Sequence, residues 1–285
     1  MQQNKRSKRF AGSLFRIFQA FSLDVVMGAL AMGVFAVTVL QVRANGWWWL
    51  VLGLSVWVVY TGDHLFDGYH QKQKATMFRH RIHYRYRYFF IAAVLLAAFA
   101  TVAIVWFFMC RQIFMGGIAL GMGALIYLIL ANFGRKKACY FQKEFFISLF
   151  YVAGIWLAPV IWYGKSLSFS SIVSMVILFL LAWAEGLMMA YFEQESDKGD
   201  KTQSFCTFYG PAVTRKLSGI LIMAGMLLSF VFAFSTPALT EEFLLLAVIS
   251  ALLALLPLFP LFFLKNGRYR VLGEFSFSVP FVLLV

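Results

Sequence analysis

Negative charge is the scarcest feature of this 285-residue chain. It has 12 Asp and Glu residues against 25 Lys and Arg, and charged residues of both signs make up only 13%. A soluble domain carries about a quarter charged residues, so a water-covered globular surface is excluded. Cysteine is equally sparse. Cys110, Cys139 and Cys206 lie far apart with no CxxC pair, which excludes a disulfide framework and a cysteine-based zinc site. Polar low-complexity sequence is missing as well. Hydrophobic residues reach 62%, aromatic residues 19%, and mean hydropathy is +0.79, so intrinsic disorder is excluded. What remains is a polytopic helical membrane protein. The net charge of +13 would point to nucleic acid in a soluble chain. Here it reads as basic residues anchoring one membrane face, with no nucleic-acid partner.

Long apolar runs dominate what is present. A bilayer core needs about 20 apolar residues per helix. Nine spans are predicted: 22–42, 46–65, 88–109, 112–132, 144–163, 171–192, 216–234, 243–264 and 270–285. The ninth carries Glu274 and Pro280 and is the weakest. The first follows a long basic stretch and lacks a small-residue cleavage site, so it reads as a span and not a signal peptide. Residues 1–21 form a basic arm. Its segment 10–21, with Phe10, Leu14, Phe15 and Phe18 beside Lys8, Arg9 and Arg16, predicts an interfacial amphipathic helix. The arm and the connections after spans two, four, six and eight hold 22 of the 25 Lys and Arg, leaving only Arg43, Arg111 and Lys165 elsewhere. Cytoplasmic loops carry the positive excess, which predicts a cytoplasmic N-terminus and an outside C-terminus, with a bacterial inner membrane as the default location. Trp47, Trp48 and Trp49 predict an aromatic belt at the outer interface. Pro159, Pro257 and Pro260 predict kinks inside spans.

The few acids are not scattered. Glu241 and Glu242 fit an outside loop, and Glu144 follows Lys143 at the start of the fifth span. Asp24, Glu185 and Glu274 fall in or near spans, where an acid is costly and reads either as functional or as a hydrogen-bonded buried group. The other six form two clusters, Asp63 with Asp67, and Glu193, Glu195, Asp197 with Asp200. Asp63 and Asp67 are spaced i,i+4, as are Glu193 and Asp197. That spacing puts like charges on one helical face, which is mildly destabilising, so a cation is expected between them. Both members of the second pair lie 130 positions after their counterparts, four spans later. This predicts two four-helix units, 22–132 and 144–264, each offering an acidic pair to one central cavity open to the cytoplasmic side. Paired carboxylates suit Mg²⁺, which is usually bound through carboxylates plus substrate phosphates. The connections that follow are basic (Lys72, Lys74, Arg79, Arg81, Arg85, Arg87; Lys198, Lys201), and Arg and Lys are the usual partners of phosphate oxygens. The combination points to a lipid diphosphate, with its head at the acids and its tail among the Phe-rich helices. The competing reading is ordinary solvated charges flanking helices. Glu195 and Asp200 are expected to be such solvated charges.

At these residues the sequence resembles the UbiA superfamily of intramembrane prenyltransferases. DHLFDG (63–68) is similar to the aspartate half of that family's NxxxDxxxD motif at the end of the second helix. Glu193 and Asp197 in EQESD are similar to its DxxxD motif at the end of the sixth, with Glu in place of the first Asp. The stretch KGDKTQSF running on to YG (198–210) resembles the segment leading to the seventh helix. Two departures mark a divergent member. Val59 stands where the first motif has Asn, and FRHRIHYRYR (78–87) has Arg79 near the family's Arg-Pro pair but no Pro.

The resemblance implies an all-α bundle of about nine helices that transfers a prenyl group from a prenyl diphosphate to a lipophilic, often aromatic, acceptor. Asp63, Asp67, Glu193 and Asp197 would then hold Mg²⁺. Arg79, Lys143 and Lys198 would contact the diphosphate, or else serve as headgroup anchors. Val59 keeps a second reading open, a non-catalytic relative that binds or transports an isoprenoid lipid. A third is an enzyme that ionises a prenyl diphosphate and cyclises or hydrolyses it. His64, His70, His80 and His83 cluster in the first cytoplasmic connection. With no cysteine joining them, they read as interfacial hydrogen-bonding groups or diphosphate contacts and not as zinc ligands.

Overall fold

The computed structural model describes residues 18–71, 78–133, 143–200 and 203–284. The interfacial helix expected over 10–21 falls almost wholly outside them, as do Lys72 and Lys74. The described residues are helical almost throughout and contain no strand. The main helices are α1 Leu23–Val39, α2 Gly46–Gln71, α3 Phe78–Arg85, α4 Arg87–Phe108, α5 Arg111–Phe133 and α6 Lys143–Tyr163. They continue with α7 Phe169–Asp200, α8 Phe205–Tyr209, α9 Pro211–Ser235, α10 Thr240–Leu258, α11 Pro260–Leu264 and α12 Arg268–Ser276. Only helices satisfy every backbone polar group inside lipid without a partner strand, and these runs have little else to offer. The chain is an all-α, multi-pass membrane bundle.

Seven of these helices are long and apolar enough to cross a bilayer. The two expected spans at the ends of the chain are shorter. α1 has 17 residues, a rise of about 26 Å, just under the roughly 30 Å hydrocarbon core. The span expected at 270–285 is instead the nine-residue α12 followed by a 3₁₀ turn, Val279–Leu284. Pro280 lies in that turn and cannot continue an α-helical ladder.

The helices close into a ring. α1 packs on α2, α2 on α4, α5 on α6, α6 on α7, α7 on α9 and α9 on α10. α12 and the last 3₁₀ turn pack back against α1. α7 forms the inner wall, with Ile177, Leu178, Leu181, Leu187 and Met188 fully buried. α4 turns Leu95, Leu96, Phe99 and Phe107 outward, as a lipid-facing helix must. The two acid-bearing helices are long. α2 has 26 residues and α7 has 32, rises of about 39 and 48 Å. Both therefore outrun the hydrocarbon core, and their acids ride on the overhanging turns.

Two local expectations are corrected. The tryptophans do not form a belt. Trp47 is exposed and stacks on Phe108 with centroids 4.4 Å apart, but Trp48 is buried and meets Trp162 edge-on at 5.4 Å. Neighbours on a helix point about 100° apart, so three in a row cannot share one face. Asn45 fixes this corner: its Oδ1 accepts from the Trp47 N–H (3.0 Å) and its Nδ2 donates to the Phe108 carbonyl (3.1 Å). Pro260 does not kink a helix but starts a new one. α10 ends at Leu258 with Pro257 inside it, and Arg215 Nε donates to the freed Pro257 carbonyl at 2.8 Å. Pro159 does lie within a continuous helix, α6.

Candidate functional site

The overhanging turns of α2 and α7 face each other across a polar cavity. Asp63, Asp67, Glu193 and Asp197 all line it, with Arg79 from α3 and Lys143 from the first residue of α6. Eight of the 12 acids of the protein line this one cavity, against three Arg and Lys side chains among the described residues, Arg79, Lys143 and Arg270. In a chain of net charge +13, that inversion of sign is the site's defining property.

Bases already sit on both acidic pairs. Lys143 Nζ lies 3.0 Å from Asp63 Oδ2 and 3.6 Å from Asp67 Oδ2. Arg79 Nη2 donates to Glu193 Oε2 at 3.1 Å. Arg270 Nη2 donates to the other oxygen of the same carboxylate, Glu193 Oε1. The Tyr269 hydroxyl donates to that oxygen too, at 3.3 Å. The Ser204 side chain lies beside Asp197. Lys198 stands apart: it lies outside the cavity, more than half exposed, and pairs with Glu195 at 3.4 Å on the solvent side. The i,i+3 spacing on α7 turns it away from the face that carries Glu193 and Asp197. Glu195 is exposed, as expected.

Three contributors were not singled out in the sequence. Arg270 and Tyr269 come from the chain's last helix, which the ring closure brings beside α7. Glu144, buried next to Lys143, accepts the Phe205 N–H on Oε1 at 2.9 Å. Phe205 is the first residue of α8, and Ser204 before it caps that helix and lies beside Asp197. The dipeptide Lys143–Glu144 thus ties the first acidic pair to the segment that holds the second. Replacing Glu144 by Ala is expected to raise hydrogen exchange of the Phe205 amide about tenfold or more, since a bond to a charged acceptor contributes about 1.5–3 kcal/mol. Glu144→Gln, which keeps an acceptor oxygen, is expected to leave exchange near wild type. Equal exchange in all three proteins would show that the contact does not hold α8.

The histidines act as packing and hydrogen-bonding groups. The ring of His83 stacks on Phe90 at 4.1 Å and meets His64 edge-on at 5.4 Å. Its Nδ1 donates to the Arg79 carbonyl at 2.9 Å, because a carbonyl can only accept. A second proton on Nε2 would place a charge in a fully buried pocket near the Arg79 guanidinium, so burial holds the His83 pKa below the ordinary histidine value. The unfolded chain takes up that proton near pH 6.5. Stability is therefore complete above about pH 6.5 and is lost as pH falls toward the folded value. The unfolding midpoint in detergent is expected to fall more steeply from pH 6.5 to 5 in wild type than in His83→Phe. Parallel curves would contradict this. The side chains of His70 and His80 lie outside the described residues.

Below the polar cavity lies an apolar one between α2, α4, α5 and α6. Val56, Val59, Val105, Phe114 and Phe150 are among its walls. Tyr60, Ile147 and Tyr151 line both spaces, so the two adjoin. Val59, one turn deeper than Asp63, faces the apolar space. A charged head can sit at the acids while a hydrocarbon tail continues inward.

No protein-family model matches the sequence, and no curated protein matches it. Solved structures do. A UbiA homologue from Archaeoglobus fulgidus bound to GPP and Mg²⁺ aligns with a TM-score of 0.61, over 94% of this chain and 98% of that one, at 14% identity. The same homologue bound to DMAPP and Mg²⁺ gives 0.59 over the same shares. Without those ligands it gives 0.58, over 94% and 99%. The fold is UbiA-like. At this identity the likeness establishes the architecture, and the chemistry must be argued from the side chains.

Among the described residues of this UbiA-like bundle, no three His, Cys, Asp or Glu side chains converge closely enough to hold a metal ion unaided. The donor set nonetheless fits Mg²⁺. It is made of hard carboxylate oxygens, and Asp63 Oδ1 is buried with no hydrogen-bond partner. Mg²⁺ characteristically needs only one or two protein carboxylates when a diphosphate supplies further oxygens.

Proposed function

We propose that this protein is a Mg²⁺-dependent prenyltransferase, moving a prenyl group from a prenyl diphosphate to a lipophilic acceptor within the membrane. The observation that carries the reading is the cavity with two facing acidic pairs that opens onto an apolar chamber. Asp63, Asp67, Glu193 and Asp197 would hold Mg²⁺, which when bound acts as a Lewis acid toward charge on the departing diphosphate. Arg79 and Lys143, already at the acids, are placed to turn to the diphosphate oxygens. Lys198 keeps only the role of a surface charge. The aromatic and aliphatic walls around Val59 and Phe114 would exclude water from the reacting prenyl carbon. The sorting of basic residues supports an acidic cavity at the cytoplasmic face of the membrane.

The test is thermal unfolding of the purified protein with a series of prenyl diphosphates, with Mg²⁺ or with chelator. A ligand at 100 times its Kd that binds only the folded state stabilises by about 2.7 kcal/mol. Mg²⁺-dependent stabilisation followed by transfer to an acceptor supports the proposal. No stabilisation by any member overturns it. Stabilisation without product across a broad acceptor panel favours the isoprenoid-binding alternative.

A further inference from the structure

Four of the eight acids lining the polar cavity are assigned to Mg²⁺ above, and Glu144 braces α8. Asp24 from α1, Glu185 from α7 and Glu274 from α12 remain. They form the inner floor of the cavity, between the Arg270–Glu193 pair and the apolar chamber. Glu274 lies in electrostatic range of both Glu185 and Asp24. Arg270 faces all three acids, and Arg79 also reaches Asp24 and Glu274. Both arginines are already paired with Glu193. Tyr60 and Tyr151, which line both spaces, face Glu185 and Glu274.

Two further observations point to a missing ligand. Ser22, only 2% exposed, lines this floor with an Oγ that has no hydrogen-bond partner. Glu185 Oε1 is likewise buried and unpartnered. A Cβ at Gly273 would stand 2.9 Å from that oxygen and 2.4 Å from Met189 Cε, so the glycine lets α12 pack close against α7 beside the carboxylate. Carboxylates in a low-dielectric interior need a cation or hydrogen-bond donors, and the two arginines that face these three acids are both drawn to Glu193.

We infer that this floor binds the head of the acceptor, and that the head is a protonated amine. The inference rests on the proposed transferase function and names its acceptor class. An ammonium group offers three donors and a positive charge. Seated among Asp24, Glu185 and Glu274, it leaves its lipophilic body to the chamber lined by Tyr60 and Tyr151. The same electrostatics exclude acceptors that carry a carboxylate.

The experiment measures binding of three probes of matched shape to the full-length protein in detergent at pH 7: 2-phenylethylamine, 2-phenylethanol and 3-phenylpropanoate. Each is tested with and without a prenyl diphosphate and Mg²⁺. The amine is expected to bind at least tenfold more tightly than the alcohol, and the carboxylate not at all. Glu185→Gln with Glu274→Gln is expected to abolish that preference, and Asp24→Asn alone to reduce it if the double variant does not fold. Equal binding of amine and alcohol in wild type overturns the inference. So does saturable binding of Mg²⁺ alone that displaces the amine. If the diphosphate binds but the amine shows no preference, the inference fails and the transferase reading stands. If the amine binds selectively but no diphosphate does, the amine site stands and the transferase reading fails.

Discussion

Asp67→Asn combined with Asp197→Asn is expected to abolish the Mg²⁺-dependent stabilisation by a prenyl diphosphate and to lower transfer at least about 100-fold, the scale of losing one preorganised electrostatic contact. One substitution falls in each acidic pair, so both walls of the cavity lose an anionic oxygen donor. Asparagine keeps the size of the side chain, and the packing around it survives. Lys143 keeps Asp63 as its nearer partner, at 3.0 Å, and Glu193 keeps both arginines. The fold should therefore hold while the site fails, which separates a lost ligand from a lost structure. Glu195→Gln is the matched control. Glu195 is 84% exposed and pairs with Lys198 on the solvent side, and its loss is expected to change binding less than twofold. A double asparagine variant with unchanged Mg²⁺-dependent stabilisation would remove these acids from the site.

Much of this site was legible in the sequence because its spacing is helical. The i,i+4 pairs need only that α2 and α7 continue past the bilayer, and both do, by several residues beyond the apolar runs at 46–65 and 171–192. What spacing cannot convey is which way a third charge points. Lys198 is one residue after Asp197, and that single step turns it away from the cavity. Glu144 and Lys143, adjacent in sequence, reach to different helices. Both were visible as charges at a helix start, but their partners depend on where α2 and α8 sit. The ends of the chain were hardest to read. The run after 268 is apolar enough to suggest a span, yet its α-helix stops at Ser276 and Pro280 lies in the 3₁₀ turn that follows. Only ring closure against α1 shows that Arg270 belongs with Glu193, 77 residues earlier. The three acids Asp24, Glu185 and Glu274 were each conspicuous alone, but no periodicity links three helices so distant in sequence.

Arg270→Met should then be among the most destabilising single changes outside the apolar core, by about 3–5 kcal/mol, the range for removing one partner of a buried ion pair. The side chains of Arg270 and Glu193 are 19% and 9% exposed, so water compensates little. Arg270 also faces Glu185 and Glu274, and its loss leaves a row of carboxylates with Arg79 as the nearest cation. Arg270→Lys keeps the charge but not the planar fork and is expected to fall between. The sign of the second change distinguishes a charge effect from lost packing. If charge dominates, Glu193→Gln placed on Arg270→Met restores part of the loss, because one stranded anion is removed, and the two changes show a coupling of about 0.5–3 kcal/mol. If the long aliphatic stem matters more, the double variant is simply the sum. Unfolding midpoints of the two single variants and the double variant, measured in one detergent, decide between them. Additive losses would mean that Arg270 holds the last helix to the ring by contact, and that Glu193 does not depend on it for charge.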